Sequence, residues 1–161
     1  MKNPVQRILV YIDGSENSIT AAQYAMCLSK AMAADLTALY VVNTKALNDL
    51  VRTRIFLQAE EEEYRMDLES DADRYLKHVT DLAAAKGIRI YTEKRTGSVH
   101  GEIRKAMEDT DADLLVIGAI AKIRSRRDEF FDETERAMRM VDKPVLMVKN
   151  EKRVLELYDL L

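Results

Sequence analysis

The hydrophobic positions of the chain fall into short continuous runs separated by longer segments with helical spacing. The first run, 8–12, is wholly apolar and ends in Asp-Gly-Ser, as is typical of a buried parallel strand followed by a turn. Apolar runs recur at 36–42, 114–118 and 145–148. Segment 88–92 alternates apolar and polar residues, which favours a half-buried strand near a sheet edge. The pattern therefore predicts five strands.

Between these runs, apolar residues recur every three or four positions and predict helices. Segment 18–34 is rich in Ala and carries one apolar stripe. Segment 45–86 contains no Pro or Gly and is predicted to be helical over most of its length. The glutamates at 60–63 weaken its stripe, so we interpret them as a solvated face, a fray or a break, with an acidic interaction site as the alternative. Shorter helices are predicted around 103–107 and 131–141.

Strands that alternate with helices are joined by right-handed crossovers into a parallel sheet that is covered on both faces. We therefore expect an α/β fold: a Rossmann-like three-layer sandwich with a five-stranded parallel sheet in the order 3-2-1-4-5. A chain of 161 residues fits one domain, which we place at 1–150. The tail, 151–161, is too apolar for a loose terminus, and we expect it to pack on its own domain or on a dimer partner.

Composition and charge exclude several classes of protein. Apolar residues make up 47% of the chain and charged residues 33%, a balance typical of a folded globular protein. The net charge of −3 disfavours nucleic-acid binding. No apolar run approaches the roughly 20 residues that cross a bilayer, and no signal peptide is recognisable. We expect a cytoplasmic protein that binds neither nucleic acid nor membrane. The single cysteine, Cys27, is interpreted as core packing.

Four motifs, in order and at consistent spacing, carry a family resemblance. They are Val-Tyr-Ile-Asp-Gly-Ser at 10–15, Leu-Tyr-Val-Val at 39–42, Ala-Asp-Leu-Leu-Val-Ile-Gly at 112–118 and Lys-Pro-Val-Leu-Met-Val at 143–148. From 8 to 148 the chain resembles the universal stress protein family. The resemblance implies a stress-response regulator that forms a homodimer through its last strand and acts through protein partners that the sequence does not identify.

The resemblance also identifies a nucleotide loop. Family members that bind ATP carry, after the fourth strand, Gly, two residues, Gly, nine residues, then Gly followed by Ser or Thr. Glycines let backbone N–H groups approach the phosphates, and a helix N-terminus adds partial positive charge. In this chain the corresponding residues are Gly118, Ala121, Phe131 and Asp132, so only the first position matches.

The substitutions at the end of this loop oppose triphosphate binding. Phe131 places a ring where close backbone approach is needed, and Asp132 places a carboxylate where a hydroxyl would meet phosphate. Two unit charges about 5 Å apart at an effective dielectric constant near 20 repel by roughly 3 kcal/mol, which weakens binding more than about a hundredfold. Asp132 and Glu135 also have the form of a helix capping box, a purely structural alternative. We expect no cofactor, with ATP or AMP as the alternative.

Two further residues match family positions that contact adenosine. Asp13 lies at the carboxyl end of the first predicted strand and Val41 in the second, and ligands of open α/β sheets bind at such strand ends. The adenosine side of the pocket can thus persist while the phosphate side is lost. A structural role for Asp13, such as capping the first helix, is the alternative. Arg124, Arg126 and Arg127 form a basic cluster that is either solvated or able to bind an anion or an acidic partner.

No catalytic set is recognisable. His78 and His100 lack a second ligand at metal-site spacing. Ser15 lacks a base held by a third group, as nucleophilic catalysis requires. We therefore expect a non-enzymatic regulator, with a nucleotide-binding switch or slow ATPase as the alternative. A phospho-receiver domain is disfavoured because only one acid, Asp13, follows the first strand and no acceptor Asp follows the third.

Overall fold

The computed structural model of the chain describes residues 2–44, 48, 58–120 and 133–161. Strands and helices alternate along them. The strands are β1 (Arg7–Ile12), β2 (Asp35–Asn43), β3 (Tyr91–Gly97), β4 (Leu114–Gly118) and β5 (Val145–Val148). The helices are α1 (Glu16–Met32), α2 (Gln58–Ala84), α3 (Val99–Asp109), α4 (Glu133–Met140) and α5 (Glu151–Asp159).

The five strands form one parallel sheet in the order β3-β2-β1-β4-β5. This confirms the predicted α/β fold and its strand order. The chain runs outward from β1 in one direction through β2 and β3 and in the other through β4 and β5. The carboxyl ends of β1 and β4 therefore form the topological switch point of the sheet, where ligands of such folds bind.

Both faces of the central strands β1, β2 and β4 are buried, which explains their apolar runs. Along β1, Ile8, Val10 and Ile12 pack with α1, α2 and α5 into one core, called the first core. Their neighbours Leu9 and Tyr11 point to the opposite face and pack with α3 and α4. Because successive strand residues face opposite sides of the sheet, a strand that is covered on both sides has a continuous apolar run and not an alternation of apolar and polar residues. The helices therefore form two layers around the sheet.

The third strand begins later than the sequence indicated. We predicted a strand at 88–92, but β3 spans Tyr91–Gly97. The backbone N–H of Ile88 donates instead to the carbonyl of Ala83, in the turn that ends α2, where Gly87 adopts a φ of 67°. The side chains of Ile88 and Ile90 pack on the core without joining the sheet. The alternation thus marked a segment that leads into the edge strand.

The boundaries of the first two helices also differ from the prediction. Helix α1 spans Glu16–Met32 and not 18–34, because Ala33 ends it in the left-handed conformation with a φ of 52°. Helix α2 continues without interruption through the glutamates at 60–63, most of which are solvent-exposed, so the solvated-face interpretation holds and the break is wrong. Residues 45–47 and 49–57, predicted to be helical, lie outside the described residues.

The C-terminal helix packs against the first core of its own chain. Val154 and Tyr158 of α5 are buried there, with relative exposures of 1% and 7%. Asn150 caps the helix by accepting a hydrogen bond from the backbone N–H of Arg153. Among the helices that the structure describes, none has the length and apolar character required to span a membrane.

Candidate functional site

A cavity of about 240 Å³ opens at the switch point of the sheet. The described residues that line it belong to the turn after β1, the first turn of α1, the end of β4 and the start of α4. Those with polar side chains in the turns and helices are Asp13, Ser15, Asn17, Ser18 and Thr134, and the other described lining residues are Tyr11, Gly118, Ala119 and Ile120. Because four elements converge here, the position of the cavity follows directly from the strand order.

Asp13 organises the turn that leads into α1. Its Oδ1 atom accepts hydrogen bonds from the backbone N–H of Ser15 at 2.8 Å and from the Ser15 hydroxyl at 2.6 Å. Its own backbone N–H donates to the Ser18 hydroxyl oxygen at 3.3 Å. Both bonds to Ser15 use the same carboxylate oxygen, and among the described residues no hydrogen bond reaches Oδ2. The residue itself is exposed.

The two serines beside Asp13 cap the helix. Ser15 is the N-cap of α1 and accepts a hydrogen bond from the backbone N–H of Ser18 at 3.1 Å. The Ser18 hydroxyl donates in turn to the backbone carbonyl of Ser15 at 2.8 Å. Each serine hydroxyl therefore donates its proton within the turn, to Asp13 in one case and to the backbone in the other. The capping residue of α1 is Ser15, and Asp13 holds it in place.

Gly118 is required by the packing of β4 on α1. A Cβ atom at this position would lie 2.6 Å from the carbonyl carbon of Asn17 and 2.8 Å from the backbone nitrogen of Ser18. The side-chain amide of Asn17 donates a 3.0 Å hydrogen bond to the carbonyl of Ala119, which closes the same junction. Packing alone therefore explains why position 118 is a glycine, without any phosphate ligand.

The structure brings together two of the five predicted site residues. Asp13 and Gly118 line the same cavity. Val41 is buried in β2, with 6% exposure, among residues that pack against α3, and it is not among the described residues that line the cavity. Ala121 and Asp132 lie outside the described residues. So do Phe131 and the arginines at 124, 126 and 127.

A second polar contact links the first turn of α3 to Glu133 of α4. The Nδ1 atom of His100 lies 2.5 Å from Oε2 of Glu133, and the backbone N–H of His100 donates to the same oxygen at 3.4 Å. Arg136 approaches the other carboxylate oxygen of Glu133 at 3.6 Å. Thr134, the residue after Glu133, lines the cavity. The contact therefore joins α4, which carries Thr134, to the first turn of α3.

The surroundings of Glu133 lower the pKa of its carboxyl group. Burial acts to raise this pKa, but the hydrogen bonds from the ring and backbone of His100, together with the charge of Arg136, outweigh it. The carboxylate is therefore held in its charged form between two helices.

Sequence reasoning considered Ser15 only as a nucleophile and missed Asn17, Ser18 and Thr134 as residues of the cavity. Ser15 and Ser18 follow a buried strand with the spacing of a helix cap, so this signal was available. The pairing of His100 with Glu133 spans 33 positions and carries no local signal. Among the described residues, no cluster of three His, Cys, Asp or Glu side chains is arranged to hold a metal ion.

Comparison with known proteins gives concordant results. A family model described as "Universal stress protein family" matches residues 4–149. The chain is 30% identical over 152 residues to Universal stress protein MJ0531 of Methanocaldococcus jannaschii. The aligned region covers 94% of this chain and 86% of that protein.

Solved structures of universal stress proteins have the same fold. The universal stress protein UspA from Lactobacillus plantarum superposes with a TM-score of 0.71 at 21% identity, covering 92% of this chain and 100% of that one. A universal stress protein solved in complex with cAMP superposes with a TM-score of 0.63 at 18% identity, covering 90% and 97% of the two chains.

Proposed function

Because the chain belongs to the universal stress protein family, we propose that it is a non-enzymatic, cytoplasmic stress-response regulator that acts as a homodimer and has a degenerate nucleotide loop. The observation that carries this proposal is the use of the cavity's serine hydroxyls. The Ser15 and Ser18 hydroxyls both donate within the turn that caps α1, and Asp13 accepts from Ser15. Activation of a nucleophile needs, besides a proton acceptor such as Asp13, a third group that orients the acceptor, and among the described residues no side chain other than Ser15 donates to the Asp13 carboxylate.

The size and chemistry of the cavity support the same proposal. Its volume of about 240 Å³ is below the range of roughly 300–1,000 Å³ that is usual for ligand clefts. Its described walls offer carboxylate and hydroxyl oxygens from Asp13, Ser15 and Thr134, and no lysine or arginine lies among the described lining residues. A triphosphate needs cations or converging N–H groups. These walls suit a small, weakly charged ligand or none.

The edge of the sheet supports dimerisation. Strand β5 pairs with β4 on one side and is the last strand in the described sheet order. An unpaired strand edge exposes backbone N–H and C=O groups that can form hydrogen bonds with another strand. Val145, Leu146 and Met147 on this strand are only half-buried. We propose that β5 pairs with β5 of a second copy.

Sedimentation equilibrium combined with amide hydrogen exchange tests the dimer. We expect a concentration-dependent monomer–dimer equilibrium, with amides at 145–148 exchanging more slowly in the dimer than in the monomer. Amides of β3, at the opposite edge, serve as the internal control and should exchange at the same rate at all concentrations. A monomer at all concentrations, or protection at β3 in place of β5, contradicts the proposed interface.

A second candidate function is an adenine-nucleotide-binding switch. Two observations favour it: the cavity lies at the switch point of the sheet, and a structural relative was solved with cAMP. In this alternative the open Oδ2 atom of Asp13 accepts a hydrogen bond from a ribose hydroxyl group, and the ligand carries at most one phosphate. The protein partner would then respond to occupancy of the cavity.

Calorimetric titration with adenosine, AMP, cAMP and ATP separates the two functions. Absent or millimolar binding of all four ligands supports the regulator without a ligand. Low-micromolar binding of AMP or cAMP, lost in Asp13→Ala, supports the switch. Low-micromolar binding of ATP overturns the degenerate loop, and release of phosphate from ATP above a protein-free blank overturns the non-enzymatic assignment.

A further inference from the structure

The two outer strands of the described sheet differ in their side chains. Strand β5, at one edge, consists of the half-buried apolar residues at 145–147 and the buried Val148. Strand β3, at the opposite edge, has three consecutive charged residues at its centre, Glu93, Lys94 and Arg95. Each of these strands pairs with one neighbour in the described sheet. The two edges therefore present the same backbone arrangement with opposite side-chain chemistry.

On the face of the sheet that α3 covers, Arg95 forms a network of ion pairs. Its guanidinium group lies 2.9 Å from a carboxylate oxygen of Glu93, 2.8 Å from one of Asp109 and 4.0 Å from one of Glu102. Glu93 belongs to β3, whereas the other two acids belong to α3. The side chain of Arg95 is only 20% exposed. Its charge is thus held against the outer strand by carboxylates from two elements.

On the opposite face, Lys94 forms an ion pair with α2. It lies beside Tyr40 of β2 in the sheet, and its Nζ atom lies 2.9 Å from Oδ1 of Asp73. Both faces of β3 therefore carry charged side chains that contact a neighbouring helix. A strand added at this edge would place its own side chains next to these ions, because directly opposed residues of paired strands are in contact. Withdrawing charged groups from water opposes such pairing.

We propose that the charged residues of β3 prevent this edge from pairing, so that the chain associates through β5 alone and assembly stops at two copies. Charged side chains on edge strands are a common means by which sheets avoid adding further strands. A chain with two pairing edges could instead add copies without limit and form a filament. The inference about β3 goes beyond the proposed function, and the limit of two copies rests on the proposed dimer.

The double substitution Glu93→Thr with Arg95→Val, called the edge variant, tests this proposal. It removes one negative and one positive charge, so the net charge of −3 is unchanged, and both new residues favour strands. Glu102 keeps a cation nearby, the Nζ atom of Lys105 at 3.5 Å, and the side chain of Asp109 is 62% exposed. We expect the edge variant to associate beyond two copies, with amides at 91–97 exchanging at least about tenfold more slowly at high concentration than at low concentration.

Two control variants separate edge pairing from the loss of ion pairs and of stability. Lys77→Ala with Asp81→Ala removes an exposed ion pair of α2, also at constant net charge, and should associate as the unaltered chain does. Glu102→Gln with Asp109→Asn breaks the contacts of Arg95 with α3 but keeps the charges on β3, so it should not associate further either. If this second control associates as extensively as the edge variant, the proposal is wrong, because a loosened fold then accounts for both.

Sedimentation equilibrium and amide hydrogen exchange on the full chain decide the outcome. Assembly beyond two copies in the edge variant, with slowed exchange at 91–97, supports the proposal. An edge variant that assembles as the unaltered chain does, or that assembles further without slowed exchange at 91–97, overturns it. If the edge variant does not fold, Lys94→Thr, which leaves the contacts of Arg95 intact, should show the same slowing to a smaller degree, and unchanged exchange there overturns the proposal.

The proposed dimer is judged separately, by the amides at 145–148. If the unaltered chain is a monomer and these amides show no dependence on concentration, the dimer through β5 is wrong. Slowed exchange at 91–97 in the edge variant would even then show that the charges of β3 prevent pairing at its edge. Failure of the dimer and failure of this inference therefore appear in different strands.

Discussion

The hydroxyl group of Tyr158 donates a 2.6 Å hydrogen bond to the backbone carbonyl of Leu82, which joins α5 to the last turn of α2. The carbonyls of a last helical turn lack partners within their own helix. Tyr158 therefore satisfies one of them while its ring is buried in the first core. Lys86, just after α2, lies over the same ring, with its Nζ 4.9 Å from the ring centroid.

We predict that Tyr158→Phe lowers the free energy of unfolding by about 1 kcal/mol, because it removes one hydrogen bond and keeps the ring. Urea titration of both proteins measures the change. Tyr91→Phe is the matched control, since Tyr91 is 46% exposed and should change stability by less than about 0.5 kcal/mol. Equal effects of the two substitutions would show that α5 is not held by this contact.

Much of the fold could be predicted because the signals are local and repeated. Unbroken apolar runs identified β1, β2 and β4, since strands buried on both faces need them. The edge strand β3 was misplaced because its residues, such as Glu93 and Arg95, are polar and pair with each other. The apolar residues that indicated a strand, Ile88 and Ile90, lie in the segment before β3 and pack on the core.

The candidate site was predictable only in part. Asp13 and Gly118 lie at strand ends, where topology alone places a cleft, and both line the cavity. Val41 was expected there through the family resemblance, but it is buried beside α3. Glu133 and His100 meet only because α3 and α4 lie side by side on the same face of the sheet. Such a contact depends on tertiary packing, which a single sequence does not display.

The cap of α1 gives a prediction with a control in the same protein. Ser15 and Ser98 are both N-cap residues, but only Ser15 accepts a capping hydrogen bond through its side chain. Ser15→Ala should therefore lower the free energy of unfolding by about 1 kcal/mol, and Ser98→Ala should have a much smaller effect. Chemical denaturation with circular dichroism provides both values. A loss at Ser98 that equals the loss at Ser15 would refute the capping assignment.

The junction between β4 and α1 should be intolerant of a methyl group. In Gly118→Ala the new Cβ meets the backbone of Asn17 and Ser18, which cannot rotate away as a side chain can. We expect a loss of roughly 1–3 kcal/mol of stability, as in other overpacked interiors. Thermal and urea unfolding measure it.

A double-mutant cycle with Asn17→Ala shows whether the strain lies at this junction. If α1 shifts, the hydrogen bond from Asn17 to the carbonyl of Ala119 weakens, and Asn17→Ala should cost less in the Gly118→Ala background than alone. Gly87→Ala is the control, because no atom lies within 4 Å of a Cβ there and only its φ of 67° opposes the change. Additive effects of Asn17→Ala and Gly118→Ala would place the strain elsewhere.

The contact between His100 and Glu133 should make stability depend on acid pH. The pKa of Glu133 is lower in the folded chain than its ordinary value of 4.5, because the hydrogen bonds from His100 and the charge of Arg136 outweigh the effect of burial. A carboxyl group whose pKa falls on folding stabilises the protein fully above its unfolded pKa, and that stability is lost as pH falls through the folded pKa. Unfolding free energies measured between pH 7 and pH 3 should therefore decline more steeply in the unaltered chain than in Glu133→Gln below about pH 4.5. Glu135→Gln is the control: it removes a carboxylate from the same helix and should retain the steep decline. Parallel curves for the unaltered chain and Glu133→Gln would mean that the Glu133 carboxylate does not join the two helices.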